Sequence, residues 1–371
     1  MHLLVAITPH GFGHAAQVAP VINALRQKLP ALRVTVLTSV PEVFLRGRIQ
    51  GGFKYIGQAP DFGLVMNSAL DIDLEASATA YAELHRNWQQ RLDAEVCRLE
   101  SLGPDLVLAD VPYLTLAAAR QVSIPAAALC SLNWADIYRH YFASRKEARK
   151  VLAHMESAYR SAAVFLCPEP SMPMPFLDNR RSIGPVAAQG RCQRDELMQQ
   201  LGLDPGQSLV LVAPGGVETR FALESWPLDQ GIHWLVSECW QVRHPDVSPL
   251  EKTGLGFTDL VASCDAVLGK CGYGTVSECV VNATPLLYIP RPDWPEERVL
   301  LQWLEIHNAA IPVEPGRLVS GEFTDLVVRA RSLKVKACRS TGAGQAADCL
   351  LACISHSLNH KGHEGHKGTT C

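Results

Sequence analysis

Leu3-Leu4-Val5-Ala6-Ile7, then Thr8-Pro9-His10-Gly11-Phe12-Gly13-His14, then Ala15 to Leu29: in order, these read as a buried strand, a glycine-containing turn and a helix. Such a turn at the front of an α/β unit brings a ligand close to backbone N–H groups. A second segment far downstream repeats the pattern. Gly269-Lys270-Cys271-Gly272-Tyr273-Gly274-Thr275-Val276-Ser277-Glu278 is again a glycine-rich strand-to-helix turn, and it ends on a carboxylate. Two such turns in two halves of one chain predict two α/β domains facing each other across a cleft.

The chain has 371 residues, enough for two such domains with sizeable cores. Its formal net charge of -3 implies no large basic surface and argues against a nucleic-acid partner. The longest apolar candidate for a membrane span, Leu114 to Cys130, is interrupted by Arg120 and Pro125 and falls short of the roughly 18 residues required. The N-terminal apolar run is strand-length and has no basic region before it, unlike a signal peptide. Twelve cysteines contain no CxxC pair, and Cys130, Cys167, Cys279 and Cys349 sit inside apolar segments, as reduced cysteines of a cytoplasmic protein do.

Strands are expected at Leu3 to Thr8, Val34 to Thr38, Leu106 to Ala109, Ala126 to Leu129 and Val164 to Cys167, with helices at Ala15 to Leu29, Ala78 to Leu102 and Leu114 to Val122. This alternation predicts a parallel sheet covered on both faces. Ser144 to Arg160 reads as an amphipathic helix with a basic excess. Its Arg145, Lys146, Arg149 and Lys150 fit either a solvated face or contact with an anionic acceptor or a membrane surface. The proline-dense segment after Cys167 cannot sustain a helix or a central strand, so residues 168–185 are expected to link residues 1–167 to 186–340. The second half restarts with strands at Leu209 to Ala213, Ala266 to Leu268 and Leu286 to Ile289, and helices at Thr258 to Ser263, Thr275 to Val281, Glu296 to Ile306 and Gly321 to Arg331. Val217 to Gly256 carries little signal beyond a strand at Ile232 to Val236. A last helix is expected within 341–358, and 359–371 as a disordered tail. The nearby His356, His360, His363 and His366 have no preformed metal geometry.

Gly11-Phe12-Gly13-His14-Ala15-Ala16 nearly fits a dinucleotide fingerprint. That fingerprint also needs an acidic residue about 20 residues on, at the end of the second strand. The second strand ends Leu37-Thr38-Ser39-Val40, and no carboxylate follows until Glu42. No Walker A pattern is present. His14 would instead sit in the first turn of a helix at the carboxyl edge of a sheet, where an imidazole can take a proton from a hydroxyl nucleophile or simply cap and pack. Asp110, ending the strand Leu106 to Ala109, lies on the same edge. It can fix the tautomer of a histidine or cap the helix that follows. In the second half, the helix entered at Gly272-Tyr273-Gly274-Thr275 suits a diphosphate. Lys270 adds positive charge, and Glu278 one turn on can accept bonds from two ribose hydroxyls or serve as a favourably placed first-turn charge. Gly215 and Gly216 offer backbone donors or a plain turn.

Together these residues resemble the GT-B nucleotide-sugar glycosyltransferases. The sequence is similar to the family that includes UDP-glycosyltransferases and the N-acetylglucosaminyltransferases of cell-wall synthesis. Over most of the chain it is similar to the glycosyltransferase-like N-terminal domain of the L-arabinokinases. That likeness runs through His10 to His14, Asp105 to Pro112, Leu132 to Tyr138, Leu268 to Glu278 and Arg331 to Lys334.

The resemblance implies an α/β GT-B fold of two Rossmann-like domains. Residues 1–167 would bind the acceptor, residues 186–340 the donor, and the helix within 341–358 would pack back on the N-terminal domain. It implies a hexosyltransferase-type enzyme, inverting and metal-independent, with no cofactor beyond a nucleoside-diphosphate sugar, UDP favoured, as co-substrate. His14 matches the family's base and Asp110 its aspartate. Lys270, Gly272, Tyr273, Gly274, Thr275, Ser277 and Glu278 take the donor positions with Gly215 and Gly216, and Glu278 takes the ribose-holding place. Gly11, Phe12, Gly13, Asn133 and Trp134 fall on the acceptor side. Where relatives carry Asp-Gln or Gln-Gln to read sugar hydroxyls, this chain has Glu296-Glu297, which accept but cannot donate. Two other readings stay open: a nucleotide-sugar-binding protein without turnover, and a sugar-nucleotide epimerase that would use Glu296 and Glu297 as its acid–base pair.

Overall fold

Near-continuous apolar runs with no alternating polar face form two wholly parallel sheets, because strands buried on both sides leave no solvent face to keep polar. The structure, a computed structural model, describes residues 1–216, 219–228 and 230–364, with side chains of the last helix described to residue 354. It divides into two units. One comprises Met1–Val65, Ile72–Val186 and the chain from Thr341 onward, and the other Met66–Asp71 and Ala187–Ser340.

The first unit holds strands β1 (His2–Ile7), β2 (Arg33–Leu37), β3 (Lys54–Ile56), β4 (Leu106–Asp110), β5 (Ala126–Leu129), β6 (Val164–Pro168) and β7 (Arg180–Ile183). They form a single sheet in the order β3-β2-β1-β4-β5-β6-β7. Its helices are α1 (Gly13–Lys28), α2 (Glu42–Arg48), α3 (Leu74–Arg86), α4 (Trp88–Leu102), α5 (Tyr113–Gln121), α6 (Trp134–Phe142) and α7 (Ala148–Ser161). The second unit holds β8 (Ser208–Val212), β9 (Ile232–Val236), β10 (Val247–Pro249), β11 (Ala266–Lys270), β12 (Leu286–Ile289) and β13 (Ala310–Pro312), ordered β10-β9-β8-β11-β12-β13. Its helices are α8 (Arg194–Leu201), α9 (Phe257–Ser263), α10 (Tyr273–Val281), α11 (Glu297–Ile306), α12 (Pro315–Ser320) and α13 (Thr324–Ser332).

In each sheet the strand order reverses once, between β1 and β4 in the first and between β8 and β11 in the second. Ligands of open α/β sheets bind outside the carboxyl ends of strands at such a reversal. The two glycine turns picked out from sequence follow β1 and β11, one at each reversal.

The last helix, α14 (Gly342–Glu364), belongs to the first unit. Its Ala346, Ala347, Cys349 and Leu350 share one core with Val18, Ile22 and Leu25 of α1 and with Leu3, Val5 and Leu108 of the sheet. The second sheet is covered on one face by α10 and α11, through Val276, Val280, Leu300 and Leu304. On the other face Trp226, Trp234 and Phe323 pack ring to ring.

Several expectations need correction. The segment 168–185, read as a connection, supplies the edge strand β7. Arg180, Arg181 and Ser182 of β7 are exposed, and an edge strand paired on one side only needs no apolar pattern. The single helix expected over 78–102 is two, α3 and α4, meeting at Asn87. The one expected over 321–331 starts three residues later, as α13, because Gly321 at φ 72 ends a separate short helix, α12. Residues 66–71, inside the first half of the chain, join the second unit: the Ala69 N–H donates to Thr219 Oγ1 (2.6 Å), and Leu70 packs on the core around Trp226. The last helix continues through Glu364, past the 358 at which a disordered tail was expected. The side chains of His356, His360 and His363, and all of His366, lie outside the described residues. Within the basic segment before α7, Arg145 pairs with Glu75.

A polar stack is sealed between α3, α4, α5 and α7. His85 bonds His154 (Nδ1 to Nδ1, 3.0 Å) and the Tyr113 hydroxyl (Nε2, 3.1 Å), and its ring stacks on Trp88. Burial lowers the His85 pKa to about 3, helped by the neighbouring His154 and Lys150; burial and Lys150 also lower that of His154.

Two outcomes follow from this packing. Leu350→Ala should cost about 2–5 kcal/mol, the usual range for emptying a buried leucine site. A chemical denaturation curve that barely moves would detach α14 from the α1 core. For His85, the unfolded chain takes up a proton near pH 6.5 that the folded chain refuses until about pH 3. The stability this group contributes is therefore complete above pH 6.5 and lost as pH falls below it. His85→Phe keeps the ring stack without the titration. Its urea midpoint should gain on the wild type steadily from pH 7 to pH 5, and a pH-independent difference would refute the linkage.

Candidate functional site

The site in the first unit is built on the pairing of β1 with β4, in which Ile7 lies opposite Asp110. This register puts the turn after β1 beside the last residue of β4, and the Thr8 N–H donates to the Asp110 carbonyl (2.9 Å). Gly11 adopts a left-handed φ of 71, which lets the chain turn into α1. His14 falls in the first turn of α1, 7% exposed, and its Nδ1 bonds Asp110 Oδ1 at 2.8 Å. Asp110 is fully buried. Burial raises its pKa, opposed by the hydrogen bond and charge of His14 and by the Cys130 thiol. With Nδ1 engaged, the imidazole's other nitrogen is the one a substrate can use.

Cys130, immediately after β5, places its Sγ 3.5 Å from the same His14 Nδ1. A nucleophilic relay would need the thiol and the carboxylate on opposite ring nitrogens. Both lie on Nδ1, so the trio is not a cysteine–histidine–aspartate triad. Sequence reading treated Cys130 only as a small hydrophobe; its position after a central strand, like that of Asp110, was the available signal.

A second buried carboxylate, Asp61, was missed altogether. It accepts from Thr8 Oγ1 (3.0 Å) and from the Tyr113 N–H (3.0 Å), and burial raises its pKa to about 7. Thr8 in turn accepts from Trp134 Nε1 (3.3 Å). Asp61 comes from an irregular loop with no periodic signal; only the dense Pro60-Asp61-Phe62-Gly63 turn marks it.

Trp134 is fully buried. It sits against both His10 (centroids 5.2 Å apart) and His14 (5.7 Å) and forms a wall behind the pair. Gly63 lies over it, and a Cβ there would come within 2.4 Å of the indole. Asn133 has both amide atoms committed to capping α6, through the Asp136 N–H and carboxylate (2.8 Å each). Phe12 is partly exposed and stacks on Phe44 (4.3 Å). A Cβ at Gly13 would meet nothing, so space does not demand glycine there.

In the second unit β8 pairs with β11, and Gly269 sits where a Cβ would run into the Ala213 carbonyl (2.3 Å). This close approach sets the two turns side by side. Gly215 has φ 116, and the Lys270 Cε lies 3.0 Å from where its Cβ would be. The amine of Lys270 is thus held beside the Gly215 turn and near Gly272. Burial, and after it the charge of Arg291, bring its pKa down to about 7 against the opposing charge of Glu296. Helix α10 starts at Tyr273 with Gly272 as its N-cap, and the N-cap residue supplies no side-chain hydrogen bond. Thr275 lies in this first turn, half-buried, and Glu278 is buried one turn on. Ser277 donates back to the Tyr273 carbonyl (2.8 Å), so its hydroxyl serves the helix.

Glu296 and Glu297, read as an equivalent pair, play different parts. Both oxygens of Glu297 accept from the Arg291 N–H (2.8 Å each), which closes the loop between β12 and α11. Glu296 lies by Trp294 Nε1 (3.5 Å) and supports the charge of Lys270. Arg291, given no role from sequence, is buried. It donates to the Cys271 carbonyl (2.5 Å) and lies over the Trp294 ring (4.8 Å). An arginine and a tryptophan flanking prolines just after a strand was the signal for it.

No helix among the described residues is long and apolar enough to cross a membrane. No family model matches the chain. It is 29% identical over 342 residues to the L-arabinokinase of Arabidopsis thaliana, covering 90% of this chain and 32% of that protein. It is 26% identical over 190 residues to the UDP-N-acetylglucosamine--N-acetylmuramyl-(pentapeptide) pyrophosphoryl-undecaprenol N-acetylglucosamine transferase of Thermus thermophilus, covering 48% of this chain and 54% of that protein. The chain thus spans about a third and about half of these two relatives. Among solved structures, the calicheamicin glycosyltransferase CalG4 matches with a TM-score of 0.58 at 15% identity, over 95% of this chain and 98% of that one. The chain therefore has the GT-B fold and is similar in sequence to an L-arabinokinase and to an N-acetylglucosamine transferase.

Proposed function

We propose that this chain is a glycosyltransferase of hexosyltransferase type, inverting and metal-independent, that moves a sugar from a nucleoside-diphosphate sugar to an acceptor hydroxyl. The observation that carries the reading is the buried His14–Asp110 hydrogen bond of 2.8 Å at the reversal point of the first sheet. Asp110 holds the proton of the neutral imidazole on Nδ1, and Nε2 accepts the proton of the acceptor hydroxyl. The hydroxyl oxygen attacks the anomeric carbon, the bond to the diphosphate breaks with its electron pair, and a single displacement inverts the configuration. The N-terminus of α10 and the Lys270 amine stabilise the charge that grows on the diphosphate. Glu278 holds the ribose, and Glu296, beside Lys270, reads a sugar hydroxyl. A UDP-sugar is the favoured donor, as named for the Thermus thermophilus relative. A cytoplasmic location fits the eleven described cysteines, all unpaired.

A binding module without turnover would use Glu278 and the α10 turn but would have no use for the paired His14 and Asp110. The epimerase reading loses support because Glu297 is committed to the Arg291 N–H.

Release of UDP from UDP-glucose and UDP-N-acetylglucosamine, with water as the default acceptor, tests the reading without knowing the true acceptor. His14→Ala should slow release by about 10²–10⁴-fold, the contribution of a positioned base, with UDP affinity nearly unchanged. Asp110→Asn should also slow it, by disturbing the tautomer of His14. Undiminished release in His14→Ala would remove the proposed base. Calorimetry with UDP tests the other unit: Glu278→Ala should weaken binding by about 1–3 kcal/mol, the range for a charged hydrogen bond. An unchanged affinity in a folded variant would move the nucleotide elsewhere.

A further inference from the structure

We infer that His14, Asp110 and Cys130 form a binding site for one divalent cation of the zinc class, and that the bound ion switches off the base proposed above. The metal site stands on its own geometry; its inhibitory effect rests on the reading of His14 as base.

The three side chains come from three rigid places: the first turn of α1, the end of β4 and the residue after β5. All three are buried, and their donor atoms lie within 4.8 Å of one another. A nitrogen, a carboxylate oxygen and a sulfur suit zinc, and the thiolate selects against magnesium and calcium. In a tetrahedral zinc site, bonds of about 2.05 Å to nitrogen and about 2.3 Å to sulfur set those two atoms about 3.5 Å apart. The Cys130 Sγ to His14 Nδ1 distance is 3.5 Å. The same geometry wants nitrogen and carboxylate oxygen about 3.3 Å apart, against 2.8 Å here, so the carboxylate must open by about half an ångström. Asp110 has the means to do so: its Oδ2 is buried with no hydrogen-bond partner among the described residues. A turn of the carboxylate gives up one hydrogen bond and offers an oxygen that now has none.

Charge closes as well. One thiolate, one carboxylate and one dication sum to zero around a neutral imidazole, which suits a buried place. On binding, the Cys130 thiol releases its proton to solvent. The imidazole proton leaves Nδ1, which becomes a ligand, and a proton resides on Nε2. An Nε2 that carries a proton cannot accept one from a hydroxyl, so the ion and the base exclude each other. Three protein ligands leave a fourth position for water or an acceptor oxygen.

Cobalt(II) added to the full-length, metal-free protein gives the test, because a cobalt–thiolate bond has a near-ultraviolet charge-transfer band and tetrahedral cobalt has visible bands. The wild type should show both at one equivalent, with loss of the bands on adding zinc. Because Cys353 and Cys371 lie near the C-terminal histidines in sequence, the comparison with Cys130→Ser is what assigns a thiolate band to this site. Cys130→Ser should abolish that band, and Asp110→Asn should keep it with affinity weakened by about 10–100-fold, at least the loss seen when outer-sphere partners are removed. No band in the wild type, or a band unchanged in Cys130→Ser, overturns the site. If Cys130→Ser does not fold, an Asp110→Asn affinity equal to wild type overturns it instead. Zinc should also suppress UDP release by the wild type, and Cys130→Ser should be less sensitive relative to its own metal-free rate. Bands that behave as expected beside a zinc-insensitive wild-type rate would keep the site and remove His14 as the base.

Discussion

The pairing of β1 with β4 is the constraint on which the first site depends. Five backbone pairings run from Leu3 opposite Leu106 to Ile7 opposite Asp110. A shift of one residue would turn Asp110 to the other face of the sheet, away from α1. The register is held by near-total burial of both strands, whose side chains fill cores on both faces. Asp110 thereby reaches His14 with no flexible segment between them. A carboxylate buried this deeply resists ionisation unless a hydrogen bond or an opposite charge compensates; His14 supplies the hydrogen bond, and an opposite charge once its imidazole takes up a proton. The histidine gains a fixed ring orientation in return.

The second unit applies the same topology to a different electrostatic task. Its strand reversal lies between β8 and β11, and there the neighbouring chains approach so closely that only glycine fits at position 269. The first unit surrounds its histidine with buried acids, Asp110 and Asp61, whereas the second gathers cations, Lys270 and Arg291, beside the N-terminus of α10. One collection suits taking up a proton, the other meeting an anion. The pKa of Lys270 is lowered first by its burial and then by the neighbouring charge of Arg291, and Glu296 offsets part of both.

Buried polar groups elsewhere serve the frame. His85, His154 and Tyr113 satisfy one another inside a helical layer, Asn133 caps α6, and Glu297 closes the loop before α11. Each draws its conformation from a local hydrogen bond, and each shows how a polar residue at a suggestive position can be committed to structure.

The fold class, the two glycine turns, and the placing of His14, Asp110, Lys270 and Glu278 at strand ends or helix starts were legible in the sequence. Those signals are local: apolar runs of strand length, glycine before a helical pattern, a charge at the end of a strand. Other features were not legible, because the information lies in pairing between distant segments. Which strands are neighbours is set by sheet packing, and only that brought Asp110 to His14 and Cys130 to both. Asp61 arrives from an irregular loop, β7 from a segment whose exposed edge needs no apolar pattern, and residues 66–71 join the second unit from inside the first half. Glu296 and Glu297 are chemically the same, so their neighbours alone could separate them: Arg291 takes one, and Lys270 faces the other. The sequence by itself determined which chemical groups stand at the carboxyl edges of two parallel sheets. The tertiary structure decided which of those groups meet, because a hydrogen bond of 2.8 Å depends on the register of strands about a hundred residues apart.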